Sequence, residues 1–285
     1  MRNDVELTIV LVTYGRRDYL KRCLDSIHGQ ENINFEIVVV VNPSGDGTEL
    51  MLETSFPQIQ RIQMHKNIGF FPALNIGIAN GCAEYVMVVD DDAYFMQDDA
   101  LFILLNYLKS NPETDVVSSN IEGPFENTIP DDEVRDINVF KTGFAMMPRK
   151  LFSSEIGYYP DAFFRSAGEN YLSKKIWDNG KRIQMLGSVK MFHDQASTGR
   201  SDADWKFYGI RSQVLCTLMR DPLPVIPILI LSKFVKSFFL FVKWGHLFTW
   251  GRAWLSIGIH IPYALHLRDP ISLQTWRKIR AMEQR

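Results

Sequence analysis

Along the first hundred residues, solid apolar runs alternate with segments whose apolar positions recur every three or four residues. Leu7–Thr13 (LTIVLVT) and Phe35–Val41 (FEIVVVV) are nearly continuous β-branched runs, the pattern of strands covered on both faces. Between them, residues 18–28 carry Tyr19, Leu20, Cys23, Leu24 and Ile27 at helical spacing, with Asp18 placed to cap the helix. Residues 42–48 (NPSGDGT) form a turn-rich loop, and a helix is expected over 49–56. A short third strand over 59–64, a helix of small residues over 72–80 and a fourth strand over 84–89 continue the rhythm. This βαβα order predicts an open parallel sheet with helices on both faces. Such sheets hold ligands beyond the carboxyl ends of their strands, which is where residues 13–17, 41–48, 66–71 and 90–92 fall.

Further along, a helix is expected over 98–110, a polar and mobile Pro/Gly-containing loop over 120–138, a strand over 141–148 and a helix over 168–180 ended by Gly180. From Pro222 the texture changes to apolar stretches broken by lysines and prolines. No charge-free apolar run there reaches the ~20 residues that span a bilayer. At helical spacing Lys233, Lys236 and Lys243 share an arc of about 80°, and Phe238, Phe239, Phe241 and Trp244 occupy the rest. That pattern predicts a helix lying in the plane of a membrane interface. A core-packing helix and an oligomer interface are the alternatives.

Charge sharpens this division. The net charge of −2 provides no field for nucleic acid. From Arg220 to Arg285, however, 10 Lys/Arg face 3 Asp/Glu, a net of +7, which leaves −9 on the remainder. A basic, apolar tail on an acidic body suggests an anionic membrane surface as partner. The expected division is 1–219 for the body, with halves 1–97 and 98–219, and 220–285 for the tail. Cys23, Cys82 and Cys216 are odd in number, far apart and without metal-ligand spacing, which favours a reduced cytosolic setting. The N-terminal MRNDVELTIVLVTY lacks a small-residue cleavage site and reads as a first strand.

The chemistry is concentrated in Asp90-Asp91-Asp92. Three adjacent carboxylates after the apolar YVMVV repel one another unless a cation compensates them. Hard ions such as Mg²⁺ and Mn²⁺ take carboxylate oxygens and keep phosphate oxygens as further ligands. A solvated acidic turn before the next helix explains the triplet equally well on its own.

Other segments remove that balance. TIVLVTYGRRDYLKRCLDSI, VVVVNPSGDGTEL and HKNIGFFPALNIGIANGCAEYVMVVDDDA follow one another in the order of the nucleotide loop, DNGSTDGT-type turn, Asn-x-Gly repeats and Asp-x-Asp motif of family-2 glycosyltransferases. The chain resembles this family of inverting enzymes, and most nearly its bacterial cell-surface polysaccharide rhamnosyl- and galactofuranosyltransferases. The resemblance implies an α/β fold of the GT-A type, a mostly parallel Rossmann-like sheet flanked by helices. The C-terminal amphipathic helices are then an appendage. It also implies a nucleotide-diphosphate sugar donor and Mn²⁺ or Mg²⁺. Thr13, Tyr14, Arg17, Asn67, Gly69, Asn75, Asp90 and Asp91 would border the donor. Asp92 would bind the metal directly, joined by His193 from VKMFHDQAS. Arg211, in WKFYGIRSQ, would meet the diphosphate. Where the family usually has a base-reading aspartate this chain has Val41, so Asn42 or backbone groups would read the base.

KTGFAMMPRKLF resembles the acceptor-side floor, with Gly143 allowing close approach of substrate. SAGENYLSKKIWDNGKRI resembles the Glu-Asp-x-x-Leu-x-x-Arg helix. Aligning Leu172, Lys175, Gly180 and Ile183 puts Glu169 at the base position, with Gly168 replacing the first acid and Lys175 the arginine. An alternative register puts Asn170 there, which could not act as a base. The resemblance thus implies inverting transfer to a lipid-linked glycan acceptor at the inner face of the cell membrane. A nucleotidyltransferase and a degenerate, non-catalytic GT-A scaffold are the rival readings. The first lacks support because TYGRRDYL is a poor glycine-rich phosphate loop.

Overall fold

The computed structural model describes residues 5–124, 128–196, 198 and 201–283. The first four strands are β1 (Leu7–Thr13), β2 (Phe35–Val41), β3 (Gln60–Gln63) and β4 (Tyr85–Val89). They pair in parallel in the order β3-β2-β1-β4. Helices α1 (Arg17–His28), α2 (Thr48–Ser55) and α3 (Phe70–Asn80) connect them. Asp18 lies inside the first turn of α1, not at its cap, where an acid still favours the positive end of the helix dipole.

The remaining strands are β5 (Ala93–Phe95), β6 (Thr114–Glu122), β7 (Val134–Asp136), β8 (Phe144–Pro148) and β9 (Arg182–His193). They extend the sheet as β4-β8-β6-β9-β5, with β7 beside β9. β8 runs antiparallel to both neighbours, as do β5 and β7 against β9, while β6 and β9 are parallel. The sheet is therefore mixed, and the parallel expectation holds for its first half. α4 (Ala100–Ser110) and α5 (Gly168–Asp178) complete the body. Of the loop expected over 120–138, residues 125–127 lie outside the described chain. The flanks are ordered differently from the expectation. Asn120 is fully buried inside β6, and its side chain donates to Ile129 O at 2.8 Å and accepts from Ile129 N at 3.1 Å. A buried amide needs such partners, and the polar residues here serve the interior.

Alternate strand residues enter opposite layers, as the period of two requires. Leu7, Ile9, Leu11, Val39 and Val41 pack with α1, α2 and α4. Val10, Val12, Val40, Val86 and Val88 pack with α3 and α5 on the other face. The C-terminal helices are α6 (Asp202–Arg220), α7 (Ile226–Lys243), α8 (Leu247–His266) and α9 (Leu273–Met282), and that second core continues into α6, α8 and α9 through Leu215, Met219, Ala264 and Ile279, with Ile271 just before α9. Each such fully buried aliphatic side chain contributes roughly 1.5–3 kcal/mol. Arg220 and Asp221 are themselves buried at the seam, with Arg220 Nη1 bonded to Asp269 Oδ2 at 2.7 Å.

The outer face of the tail is apolar and open. Leu223–Lys243 spans 21 residues with a mean hydropathy of 2.1 in its most apolar window, 11% of it buried. By length and composition it is long and apolar enough to cross a membrane.

Candidate active site

A cavity of about 340 Å³ opens where β1, β2 and β4 end. Parallel register sets those ends side by side, with Thr13 opposite Val41 and Val10 opposite Val88. The residues that follow, Thr13, Tyr14, Asn42 and the triplet Asp90-Asp91-Asp92, all reach the cavity. β8 enters from the opposite direction. Because Phe144 pairs with Val89, Gly143 meets Asp90. A Cβ on Gly143 would lie 2.1 Å from Asp90 Cγ, so only glycine leaves room for that carboxylate. The glycine expected to admit substrate instead admits Asp90.

β5 and β9 bring the last acid to its partner. Ala93 pairs with His193, which sets His193 Nε2 3.5 Å from Asp92 Oδ1. One ligand atom each from Asp90, Asp92 and His193 lies within 4.8 Å of the others. Two carboxylate oxygens and an imidazole nitrogen suit a divalent ion of the Mn²⁺ kind, and the cluster fits the expected metal.

Arg16, which also lines the cavity, binds two acids of the triplet. Its Nη1 donates to Asp91 Oδ1 at 2.8 Å and stands 3.0 Å from Asp92 Oδ2. Its other nitrogens donate to Ala196 O at 2.9 Å and Thr198 O at 3.1 Å. Asp91 and Asp92 are each 4% exposed, so this single cation compensates charges that burial would otherwise penalise. Burial, then the charge of Asp92, pushes the Asp90 carboxyl up to about 7. Burial acts on Asp92 in the same sense, but His193, Arg16 and the Ala196 amide together outweigh it and hold Asp92 below the ordinary range. The two acids are thereby split in proton affinity.

Glu169 lines the same cavity from the first turn of α5. Burial raises its pKa above the usual 4.5, against the opposing pull of its own backbone amide, Thr142 and Lys141. The helix begins from a strained turn, since Ser166 and Ala167 have φ of 65° and 68°. Non-glycine residues rarely take this left-handed conformation, and pairs of them mark positions that the surroundings dictate. Gly168 follows, where a Cβ would lie 2.2 Å from the Phe71 ring. The family's first acid has no space here, and Lys175, in the arginine's place, pairs with Asp269 at 2.9 Å.

The sequence matches glycosyl transferase family 2 over residues 8–168, more than half of the chain. The chain belongs to this family. The family-2 chain is 35% identical over 97 residues to the glycosyltransferase GlyA of Streptococcus pneumoniae, a match covering 33% of this chain and 14% of GlyA. It is 33% identical over 119 residues to the abequosyltransferase RfbV of Salmonella typhimurium, covering 38% of this chain and 34% of RfbV. In both cases it spans well under two thirds of the relative's length. Its fold resembles residues 1–349 of TarS from S. aureus in complex with UDP-GlcNAc, with a TM-score of 0.63, 19% identity, and coverage of 93% and 84% of the two chains.

Eleven of the residues singled out in this family-2 sequence line the one cavity: Thr13, Tyr14, Asn42, Asn67, Gly69, Asp90, Asp91, Asp92, Gly143, Glu169 and His193. Three do not. Arg17 points outward to Asp18 at 2.9 Å, and its neighbour Arg16 holds the acids instead. Asn75 brackets the backbone of Tyr159, donating at 2.8 Å and accepting at 3.1 Å. Arg211 lies over the Tyr208 ring, 5.0 Å from its centre, and donates to Ala162 O. Asn42 is buried, with its amide committed to Ile68 N at 3.1 Å and Gly69 O at 3.4 Å, so it holds the 67–69 loop. Val41 is fully buried on the α1–α2 side and does not line the cavity.

Sequence reasoning missed Arg16, Lys141, Thr142, Phe164 and Trp205, all of which line the cavity. Trp205, 46% exposed at the rim, stands in the quoted WKFYGIRSQ segment, where an aromatic at the start of a helix was a usable signal. The strained Ser166-Ala167 turn had no such signal.

Proposed function

We propose that this chain transfers a sugar from a nucleotide-diphosphate donor to a hydroxyl of a glycan acceptor, with inversion. The observation that carries the reading is a single cavity lined both by the Asp90, Asp92 and His193 cluster, which can hold a divalent cation, and by Glu169, whose pKa burial raises. In this reading Asp90, Asp92 and His193 hold Mn²⁺ or Mg²⁺, which when bound neutralises charge on the departing diphosphate. Thr13, Tyr14 and the 67–69 loop flank the nucleotide. Asp91 and Arg16 keep the acid cluster in place.

Glu169 accepts the proton of the acceptor hydroxyl as its oxygen bonds the anomeric carbon, and the bond from that carbon to the diphosphate oxygen breaks on the opposite face. Its raised pKa makes it a stronger base than a solvated glutamate. Gly143 serves the chemistry through Asp90. The acceptor is a cell-surface polysaccharide precursor, held near a lipid, and the tail rests on the inner face of the cell membrane. Support for the membrane reading is the +7 charge of the tail together with its exposed apolar surface, including Ile228, Leu231 and Phe239 at 68%, 63% and 66% exposure.

A thermal-shift screen of nucleotide sugars with and without Mn²⁺ tests the donor site. A bound donor raises the melting temperature by mass action, and a flat response to every donor and metal rejects the proposal. Removing the tail is a poor test of the membrane reading, because Leu215 and Met219 of the body would lose their cover. Paired surface changes, Leu231→Glu with Phe239→Glu, are expected to abolish sedimentation with phosphatidylglycerol vesicles and leave the fold intact. Unchanged partitioning removes the membrane from the account.

A further inference from the structure

The oxygens of Asp92 are used unequally. Its Oδ2 accepts from the Ala196 amide at 2.9 Å and stands 3.0 Å from Arg16 Nη1. Its Oδ1 is turned to His193, 3.5 Å from Nε2. Its main-chain oxygen accepts from the Asp194 amide at 2.9 Å. Two amides of the chain that has just left β9 therefore grip the acid.

That grip needs an unusual backbone. Gln195, between the two amides, has φ of 53°, a left-handed conformation that a non-glycine residue keeps only where its surroundings impose it. Arg16 supplies part of the constraint. It stands at the start of α1, and each of its three guanidinium nitrogens is committed: Nη1 to Asp91 and Asp92, Nη2 to Ala196 O at 2.9 Å and Nε to Thr198 O at 3.1 Å. Arg22, further along α1, pairs with Asp194. One helix thus fastens the chain after His193 to the acids that follow β4. The planar fork suits this task as an ammonium does not, since it reaches two carboxylates and two carbonyls at once.

The consequence falls on the metal ligands. The pairing of Ala93 with His193 fixes two backbones but not the direction of either neighbouring side chain. With Oδ2 held by protein donors, Oδ1 is the oxygen that Asp92 presents beside His193. Charge alone would make Arg16 unfavourable here, because a guanidinium this close repels a divalent ion. What it can give a metal site is geometry.

We propose that Arg16 is a positioning residue for the metal, holding Asp92 Oδ1 and His193 as a ready pair through the chain that follows His193. The inference rests on the reading of Asp90, Asp92 and His193 as a metal site, and adds a residue that acts through those ligands.

Mn²⁺ titration of the full chain, followed by electron paramagnetic resonance, counts bound ion and reads the nitrogen coupling of a ligated imidazole. His193→Gln marks the signal without that nitrogen. Arg16→Lys keeps the charge and loses the fork. It is expected to bind Mn²⁺ about 10- to 100-fold more weakly, the usual effect of removing a partner that orients a metal ligand, with reduced nitrogen coupling. An unchanged affinity, or an undiminished nitrogen coupling, overturns the role. Coupling is reciprocal, so Mn²⁺ should in turn slow hydrogen exchange at the Asp194 and Ala196 amides of the unchanged chain. Exchange that bound Mn²⁺ leaves unaltered overturns the role, even where Arg16→Lys fails to fold. An unchanged chain that binds no Mn²⁺ rejects the metal reading itself and this inference with it, whereas Mn²⁺ held equally by the unchanged and Arg16→Lys chains rejects the positioning role alone.

Discussion

In the parallel half of the sheet, Tyr14, Asn42 and Asp90 reach the cavity by being the next residues after strands that end together. In the mixed half, Gly143 and His193 arrive through antiparallel registers fixed by strands far away in sequence, and Glu169 through a strained turn. One half places its groups by local order and the other by distant pairing. The first tolerates variation in side chains while strand ends stay aligned. The second depends on single positions whose replacement moves a neighbour's functional atom.

The largest expected effect is in the second half. Glu169→Gln keeps the shape and removes the base, so transfer is expected to fall about 10²- to 10⁴-fold. Because burial disfavours the ionised carboxylate, the melting temperature at neutral pH should hold or rise. Initial rates and thermal unfolding of the same preparation check both. Transfer at the unchanged rate would return Glu169 to a merely electrostatic role at the start of α5.

The neighbouring pair Arg16 and Arg17 divides the first half from its own sequence pattern. Arg16→Met leaves Asp91 and Asp92 buried without their cation, which costs about 3–5 kcal/mol when one partner of such a pair is removed. Added Mn²⁺ should restore part of the loss by binding the folded state. Arg17→Met, at an exposed site, should leave the stability essentially unchanged. Denaturant unfolding of both variants decides, and equal losses would mean that the contact of Arg16 with the triplet has no energetic weight. Gly143→Ala follows in size. Its methyl group must displace the Asp90 carboxylate, and displacement by about 1 Å costs about 10²-fold in rate. The effect should appear in kcat with the fold retained.

The same contrast explains what could be read from the chain. The strands, the cavity edge and the acids of the first half were legible because apolar runs, turns and acids lie within a few residues of one another. Even there, adjacent arginines were exchanged, since no local pattern distinguishes the one that turns inward. The expected mobile loop over 120–138 failed where polar Asn120 is buried, because its partner Ile129 is nine residues on, a contact that composition does not reveal. Asn75 and Arg211 look like ligand-binding residues and instead satisfy the backbone at Tyr159 and Ala162. Gly168 looked like a lost acid and is a requirement of the Phe71 ring. Each of these depends on contact between distant segments, and a residue's type does not say whether its hydrogen bonds go to substrate or to the protein itself.

The pH profile is the smallest effect, and it tests the two walls of the cavity against each other. Glu169 must be ionised to accept a proton, so the rate should fall on the acid side as pH drops through its pKa, by about tenfold per pH unit below it. Burial sets that limb above 4.5, the ordinary glutamate value. Stability moves the other way. A carboxyl whose pKa is higher folded than unfolded favours the folded state in its protonated form. That contribution is complete below the unfolded pKa and fades as pH rises through the folded one. The unchanged chain should therefore lose stability across the interval in which it gains activity, and Glu169→Gln should lose the activity limb and keep only the part of the stability trend that other raised carboxyls, Asp90 above all, contribute. If the activity limb persists in Glu169→Gln, the titrating group belongs to the acid cluster, and the strained turn that brings Glu169 to the cavity serves structure alone.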